Sequence, residues 1–133
     1  MTAPIRILVV DDSLTIRAML ETVFARERGV KVVGIASNAE EAERMMEDLL
    51  PSVVTIDIDM PGGDGLALLD RLVADRPVHA IMLSSRIDAA ADSMDRGACG
   101  FFDKRRILSD ARGLVALIRS AAAGRVARAP RLS

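Results

Sequence analysis

Five short apolar runs recur along the chain, and the segments between them space their apolar residues as helices do. The runs are continuous rather than alternating, which is typical of strands buried on both faces of a sheet. Their starts recur at the interval expected for a strand, a helix and the connecting loops. The predicted strands are Ile5–Val10, Lys31–Ile35, Val53–Asp57, His79–Leu83 and Ala98–Phe102.

The intervening segments predict helices, because their apolar residues fall on one face at i, i+3, i+4 spacing. Ser13 is placed to cap the first helix, and Asn38 followed by Glu41 resembles a capping box at the second. The third begins near Gly65, the fourth, alanine-rich, covers about 88–96, and the fifth about 110–123. The residues predicted to face inward are Ile16, Met19, Leu20, Val23, Phe24, Ala42, Met45, Met46, Leu49, Leu66, Leu68, Leu69, Leu72, Val73, Met94, Leu114, Leu117, Ile118 and Ala121.

Alternating strands and helices joined by short links imply parallel strands with right-handed crossovers. Five of each in 133 residues predict one α/β domain: a doubly wound, five-stranded parallel sheet in a flavodoxin-like three-layer sandwich. We assign the domain to residues 1–123. Residues 124–133 are interpreted as a basic, solvated tail or a linker stub.

Composition excludes several classes of protein. Lys+Arg total 18 against 19 Asp+Glu, and aromatic residues make up 2%, which argues against direct nucleic-acid binding. Cys99 is the single cysteine, so neither a disulfide framework nor a thiolate metal cluster is expected. No apolar run is long enough to span a membrane, and the N-terminus lacks a signal-peptide pattern. We therefore expect a cytoplasmic protein.

Polar residues that can bind a metal or take part in a reaction follow four of the five strands. The carboxyl ends of parallel strands meet at one edge of the sheet. Several carboxylates in one pocket repel each other unless a cation joins them, and an all-oxygen ligand set suits Mg²⁺. A hydroxyl and a lysine beside that ion make a site for a phosphoryl group, with Asp57 as metal ligand and nucleophile. The strand-end residues are Asp11, Asp12, Asp57, Asp59, Ser84, Ser85, Asp103 and Lys104.

These residues resemble the receiver domain of two-component response regulators over about 5–123. The resemblance implies the strand order 2-1-3-4-5. The chain is similar in particular to receivers attached to chemotaxis methylesterases. This similarity rests on the Val9–Ser13 motif, on Asp59 and on the Leu83-Ser84-Ser85 run. The matching motifs are Val9-Val10-Asp11-Asp12-Ser13, Asp57-Ile58-Asp59-Met60-Pro61 with Asp64-Gly65, Ser84, Phe101 and Lys104.

The resemblance implies a phosphoacceptor and a metal site. Asp57 would accept a phosphoryl group from a phosphohistidine on a partner histidine kinase or phosphotransfer protein. Asp12, Asp57 and the backbone carbonyl of Asp59 would ligate Mg²⁺. Asp11 would act on the ion indirectly, through a water molecule or through a contact to one of the direct ligands.

It also implies a switch. Lys104 would pair with the phosphoryl oxygens, and Ser84 would move to hydrogen-bond them. Phe101 would change rotamer and alter the surface formed by the fourth helix, the fifth strand and the fifth helix, through which an unknown downstream protein is regulated. Phosphorylation adds a charge of roughly −1.5 to −2, which biases such a two-state element.

The chain departs from the family pattern around Lys104. Arg105 stands where receivers usually have a proline, often after a cis bond, and a cis bond before another residue costs about 2.5–4 kcal/mol. A trans loop is therefore expected. Asp103 either pairs with Lys104 or turns outward, and Phe101 lacks the hydroxyl of the common tyrosine.

Asp59 carries a separate hypothesis. An acid two residues after the phosphoacceptor lies near the path of the attacking water, so it should alter the lifetime of the phosphoryl group. The hydrolysis rates of the natural sequence and of Asp59→Asn are expected to differ.

The leading interpretation is a receiver that catalyses only its own phosphorylation and dephosphorylation, with no small-molecule turnover. Its length predicts a stand-alone receiver without an effector domain. One alternative is a haloacid-dehalogenase-like, Mg²⁺-dependent phosphatase using Asp57 and Asp59, although Asp11-Asp12 precedes that pair in the reverse of the usual order. Another is an inert interaction module that kept the fold.

Overall fold

The computed structural model describes residues 3–75 and 78–127, and these alternate five strands with five helices. Short 3-10 turns at Pro61–Gly63, Ile87–Ala89 and Lys104–Arg106 lie in three of the loops. The strands are β1 Ile5–Val10, β2 Val30–Ala36, β3 Val53–Asp57, β4 His79–Ser84 and β5 Gly100–Asp103. The helices are α1 Leu14–Ala25, α2 Ala39–Leu49, α3 Asp64–Asp75, α4 Ala90–Asp95 and α5 Ala111–Ala122.

The strands form one parallel sheet in the order β2-β1-β3-β4-β5, which confirms the predicted fold class and strand order. Its two faces are covered separately. Ile7 and Val9 belong to a core cluster with α1 and α5, whereas Leu8 and Val10 belong to a cluster with α2, α3 and α4. Burial of both faces explains why the strands are continuous apolar runs.

Side-chain caps fix the starts of three helices. As predicted, Ser13 accepts a hydrogen bond from the Ile16 N–H, and Asn38 accepts one from the Glu41 N–H at 2.8 Å. The Glu41 carboxylate accepts the Ser37 hydroxyl at 3.3 Å, so only the Asn38 half of the capping box is seen among the described contacts. Asp110 caps α5 in the same way. The Ser13 cap places the start of α1 directly after the acidic pair that follows β1.

Two predicted helix features are corrected. Only Ala90–Asp95 is α-helical in the fourth helix, because Ile87–Ala89 forms a 3-10 turn before it. Val73 was predicted to face inward but is 48% exposed. The buried face of α3 is filled by Leu68, Leu69 and Leu72, so Val73 lies beside the stripe.

The chain after α5 turns back toward the sheet. The Gly124 N–H bonds to the Ala121 carbonyl and the Arg125 N–H to the Ser120 carbonyl, a Schellman arrangement that needs the positive φ of Gly124. The Ala127 N–H then bonds to the Cys99 carbonyl at 2.8 Å. The tail therefore does not extend α5, and residues 128–133 of the predicted tail lie outside the described residues. Among the described residues, no helix is long and apolar enough to cross a membrane.

Candidate functional site

Strand register brings the predicted site residues to one edge of the sheet. Asp57 pairs with Leu83 across β3 and β4, and Ser84 pairs with Asp103 across β4 and β5. On the other side of β3, the last pair with β1 joins Val10 to Ile56, so Asp11 follows at the level of Asp57. The carboxyl ends of β1, β3, β4 and β5 thus border a common pocket.

Asp57 lies at the centre of this pocket and is 1% exposed. Its Oδ1 accepts hydrogen bonds from Lys104 Nζ at 3.0 Å and from the Asp59 N–H at 2.8 Å. No described residue donates a hydrogen bond to its Oδ2. Burial raises the pKa of Asp57, and the hydrogen bond from Lys104 opposes that rise.

Asp11 and Asp12 approach Asp57 to form an acidic group, in which one carboxylate oxygen of each residue lies within 4.8 Å of the others. Asp11 is fully buried and its Oδ1 accepts the Ser13 N–H, but its Oδ2 has no hydrogen-bond partner among the described residues. Burial, reinforced by the neighbouring carboxylates, raises the pKa of Asp11 to about 6. Asp12 is exposed and opens the group to solvent.

A divalent cation fits this donor set. A buried carboxylate oxygen without a hydrogen-bond partner is costly, and a cation removes that cost and the repulsion between the acids. Two or three carboxylates with an open, solvated side match the ligands of Mg²⁺, which keeps several waters. The residues present could therefore hold the ion predicted from the sequence.

Lys104 Nζ is the cationic group of the pocket. Beside its bond to Asp57, it lies 3.8 Å from Asp11 Oδ2 and 3.8 Å from Asp59 Oδ2. Burial by itself would lower the pKa of Lys104, but the hydrogen bond to Asp57 and the surrounding negative charges raise it. The lysine therefore stays charged and partly neutralises three carboxylates.

The loop after Lys104 is held by an acid–arginine pair. Asp103 accepts hydrogen bonds from the N–H, the Nε and the Nη2 of Arg105 at 2.9, 3.0 and 2.9 Å. This geometry resolves the open question about Asp103, whose carboxylate turns to Arg105 and not to Lys104. Among the described residues no peptide bond is cis, so the Lys104–Arg105 bond is trans as expected.

Asp59 contacts the residues at the end of β4. Its Oδ1 accepts the Ser84 hydroxyl at 2.8 Å, and its Oδ2 accepts the Ser85 N–H at 3.1 Å. Arg86 Nε lies 3.6 Å from Oδ1. Partial burial favours the neutral acid, but these hydrogen bonds and the charges of Lys104 and Arg86 lower the pKa of Asp59.

Sequence reasoning did not include Arg86 among the site residues. An exposed arginine in a loop is commonly a solvated charge, and nothing local marks it as a partner of Asp59, 27 positions earlier. Its position immediately after the strand-end pair Ser84-Ser85 is the feature of the sequence that places Arg86 near the site.

Two further motif residues have packing roles. A Cβ added to Gly65 would lie 2.3 Å from the Asp57 carbonyl oxygen, so glycine allows the first turn of α3 to approach the site strand. Phe101 is 6% exposed and packs in the cluster that contains Met82 and Ala90. Its predicted rotamer change stays a prediction.

A family model described as "Response regulator receiver domain" matches residues 7–118. The chain belongs to the response regulator receiver family. The receiver is 41% identical over 132 residues to a protein-glutamate methylesterase/protein-glutamine glutaminase of Burkholderia thailandensis, covering 92% of this chain and 37% of that protein. It is 39% identical over 115 residues to one of Xanthomonas oryzae, covering 84% of this chain and 32% of that protein.

Solved structures agree with this assignment. The response regulator domain of Thermotoga maritima CheB superimposes with a TM-score of 0.79 at 32% identity, covering 90% of this chain and 97% of that one. A LuxR-family response regulator from Aurantimonas gives 0.84 at 27% identity, covering 96% of this chain and 91% of that one. Membership supports phosphorylation-controlled signalling and does not favour the phosphatase alternative. The receiver spans about a third of the length of the curated relatives that it matches.

Proposed function

We propose that this receiver accepts a phosphoryl group on Asp57 from a partner histidine kinase or phosphotransfer protein in a Mg²⁺-dependent reaction. The observation that carries the proposal is the buried Asp57 carboxylate, with one oxygen held by Lys104 and the Asp59 N–H. Its other oxygen accepts no hydrogen bond from the described residues.

Asp57 Oδ2 is the nucleophile in this proposal. It attacks the phosphorus of the donor phosphohistidine, a P–O bond forms, and the P–N bond breaks with its electron pair returning to the histidine nitrogen. Lys104 faces the oxygens on which negative charge accumulates. Hydrolysis of the acyl phosphate by water later restores the carboxylate and releases phosphate.

Asp11, Asp12, Asp57 and the carbonyl of Asp59 are the residues that would hold Mg²⁺. The bound ion supplies charge neutralisation for the incoming phosphoryl oxygens. The buried Asp11 Oδ2 without a hydrogen-bond partner supports this assignment, since ion binding relieves the cost of its burial.

An apolar groove beside the site supports a protein as phosphoryl donor. The groove is lined by Leu14, Ala18 and Met19 of α1 and by Leu108, and Leu14 and Leu108 are 75% and 60% exposed. These two leucines lie on the chain segments that directly follow Asp12 and Lys104. A donor helix that packs its apolar side here would stand next to Asp57.

We propose that output leaves through the surface formed by α4, β5 and α5, with Ser84 and Phe101 as switch residues and residues 124–133 as a basic tail or a linker stub. The methylesterase names of the relatives favour a catalytic domain of that class as the downstream partner. Titration of a relative's isolated methylesterase domain with phosphorylated receiver should show tighter binding than with the unphosphorylated form. Equal affinity would rule out this partner.

The test of the phosphoacceptor uses a small acyl phosphate, which needs no kinase. Incubation with acetyl phosphate and MgCl₂ should add the mass of one phosphoryl group in an intact-mass measurement. The addition should disappear in Asp57→Asn and in the presence of a chelator. The proposal would be overturned if the natural chain stayed unmodified and its NMR spectrum did not change on addition of beryllium fluoride and MgCl₂.

A further inference from the structure

Ser84 and Asp59 are joined in a way that affects how the site can recognise a phosphoryl group. Ser84 is fully buried, and its hydroxyl donates to Asp59 Oδ1 at 2.8 Å while its Oγ accepts the Arg86 N–H at 3.0 Å. A serine hydroxyl has a single proton to donate. In this conformation that proton is therefore directed to Asp59 and away from Asp57.

The Asp59 carboxylate also contacts Ser85 and Lys104 through its other oxygen, Oδ2. Asp59 Oδ2 accepts the Ser85 N–H at 3.1 Å and is 3.4 Å from the Ser85 hydroxyl. Lys104 Nζ lies 3.8 Å from Oδ2, within reach of Coulomb attraction.

These contacts fix the loop after β4 as well as the hydroxyl. Ser84 is the last residue of β4, and Ser85 and Arg86 precede the 3-10 turn that begins at Ile87. Hydrogen bonds to a charged acceptor are stronger than neutral ones. The Asp59 carboxylate therefore stabilises one conformation of the connection between the site and α4.

We propose that Asp59 is a positioning residue that holds Ser84 and the loop after β4 in the unphosphorylated conformation, competing with the phosphoryl group for the Ser84 proton. This inference rests on the proposed function, since it assumes that Asp57 is the phosphoacceptor. A phosphoryl group on Asp57 must break the Asp59–Ser84 bond before Ser84 can donate to it. Asp59 therefore opposes the switched state in addition to any effect on hydrolysis.

The test measures affinity for beryllium fluoride, a phosphoryl analogue, in the presence of MgCl₂. Asp59→Ala should lower the concentration for half-saturation by at least about fivefold, because Ser84 and Ser85 are released from the carboxylate. Asp59→Asn, which keeps an oxygen acceptor for Ser84, should give a smaller gain. Asp88→Asn removes one exposed acid from the same loop and should leave affinity unchanged.

A double-mutant cycle separates this mechanism from simple removal of negative charge. In a Ser84→Ala background, Asp59→Ala should lose most of its gain; an equal gain in both backgrounds would overturn the proposal. A structural readout needs no metal: amide exchange at Ser85 and Arg86 should be faster in Asp59→Ala. Failure of the natural chain to bind the analogue would contradict the phosphoacceptor function, whereas normal binding unchanged by Asp59→Ala would contradict only the positioning role.

Discussion

The Lys104 ammonium donates a hydrogen bond to the buried Asp57 carboxylate at 3.0 Å, joining β3 to the loop after β5. The same Nζ lies 3.8 Å from Asp11 Oδ2, an oxygen that otherwise has no partner among the described residues. Lys104 therefore supplies part of the charge neutralisation that a divalent cation would give these two carboxylates. This relationship leads to the first prediction.

Lys104→Ala should destabilise the metal-free protein at neutral pH, because two buried carboxylates lose their cationic neighbour. We expect a loss of about 3 kcal/mol in the free energy of unfolding, measured by urea denaturation. Lys31→Ala, at an exposed position of the edge strand β2, is the matched control and should change little. In the variant, Mg²⁺ should still bind and restore stability, while phosphorylation by acetyl phosphate should slow markedly. Retained stability and reactivity would mean that Lys104 is only a solvated charge.

Asp11→Asn should change the pH dependence of stability. The pKa of Asp11 is raised from 3.8 to about 6, so the folded state binds its proton more tightly than the unfolded chain does. The resulting stabilisation is fully present below pH 3.8 and is lost as pH rises through about 6. Without Mg²⁺, Asp11→Asn should therefore be more stable than the natural sequence at pH 8, by up to about 3 kcal/mol, with a smaller difference at pH 5.

Added MgCl₂ should reverse that order at pH 8. The natural sequence gains stability from the ion, and Asp11→Asn, with one carboxylate fewer, gains less. Thermal unfolding at both pH values, with and without the ion, checks the prediction. An identical response of the two proteins to MgCl₂ would exclude Asp11 from the metal site.

Gly65→Ala should disturb the site through the backbone. The added Cβ would meet the Asp57 carbonyl oxygen at 2.3 Å, and a backbone atom at the end of a central strand cannot move away freely. We expect a loss of stability of about 1–3 kcal/mol and slower phosphorylation by acetyl phosphate. Ala67→Ser, at an exposed position of α3, is the control. Unchanged phosphorylation would show that the approach of α3 to Asp57 is dispensable for the site.

Leu108→Ser should separate donor docking from phosphoryl chemistry. Leu108 is 60% exposed and belongs to neither core cluster, so the fold and the reaction with acetyl phosphate should be unaffected. Transfer from a phosphorylated histidine kinase should slow by about tenfold, because the groove loses an apolar contact. Val126→Ser, at another exposed apolar residue outside the groove, should have no effect. An equal slowing with both donors would place Leu108 in the reaction itself.

Local sequence determined the elements and much of the site. Buried parallel strands require unbroken apolar runs, and caps act over three residues, so β3 and the capped starts of α1 and α2 follow from short-range patterns. To predict that the strand-end acids lie together, only one further rule is needed, namely that the carboxyl ends of parallel strands meet at one edge of the sheet. Asp11, Asp57 and Lys104 therefore meet as their positions in the chain predict.

Tertiary structure decided which partner each side chain takes. Asp59 could face solvent or the end of β4, and the packing of β3 beside β4 selects Ser84, 25 positions later in the chain. Val73 is apolar and helical, yet the rotation of α3 on the sheet leaves it half exposed. Such choices depend on ångström-scale distances between segments far apart in the chain, and residue spacing along the sequence does not encode them.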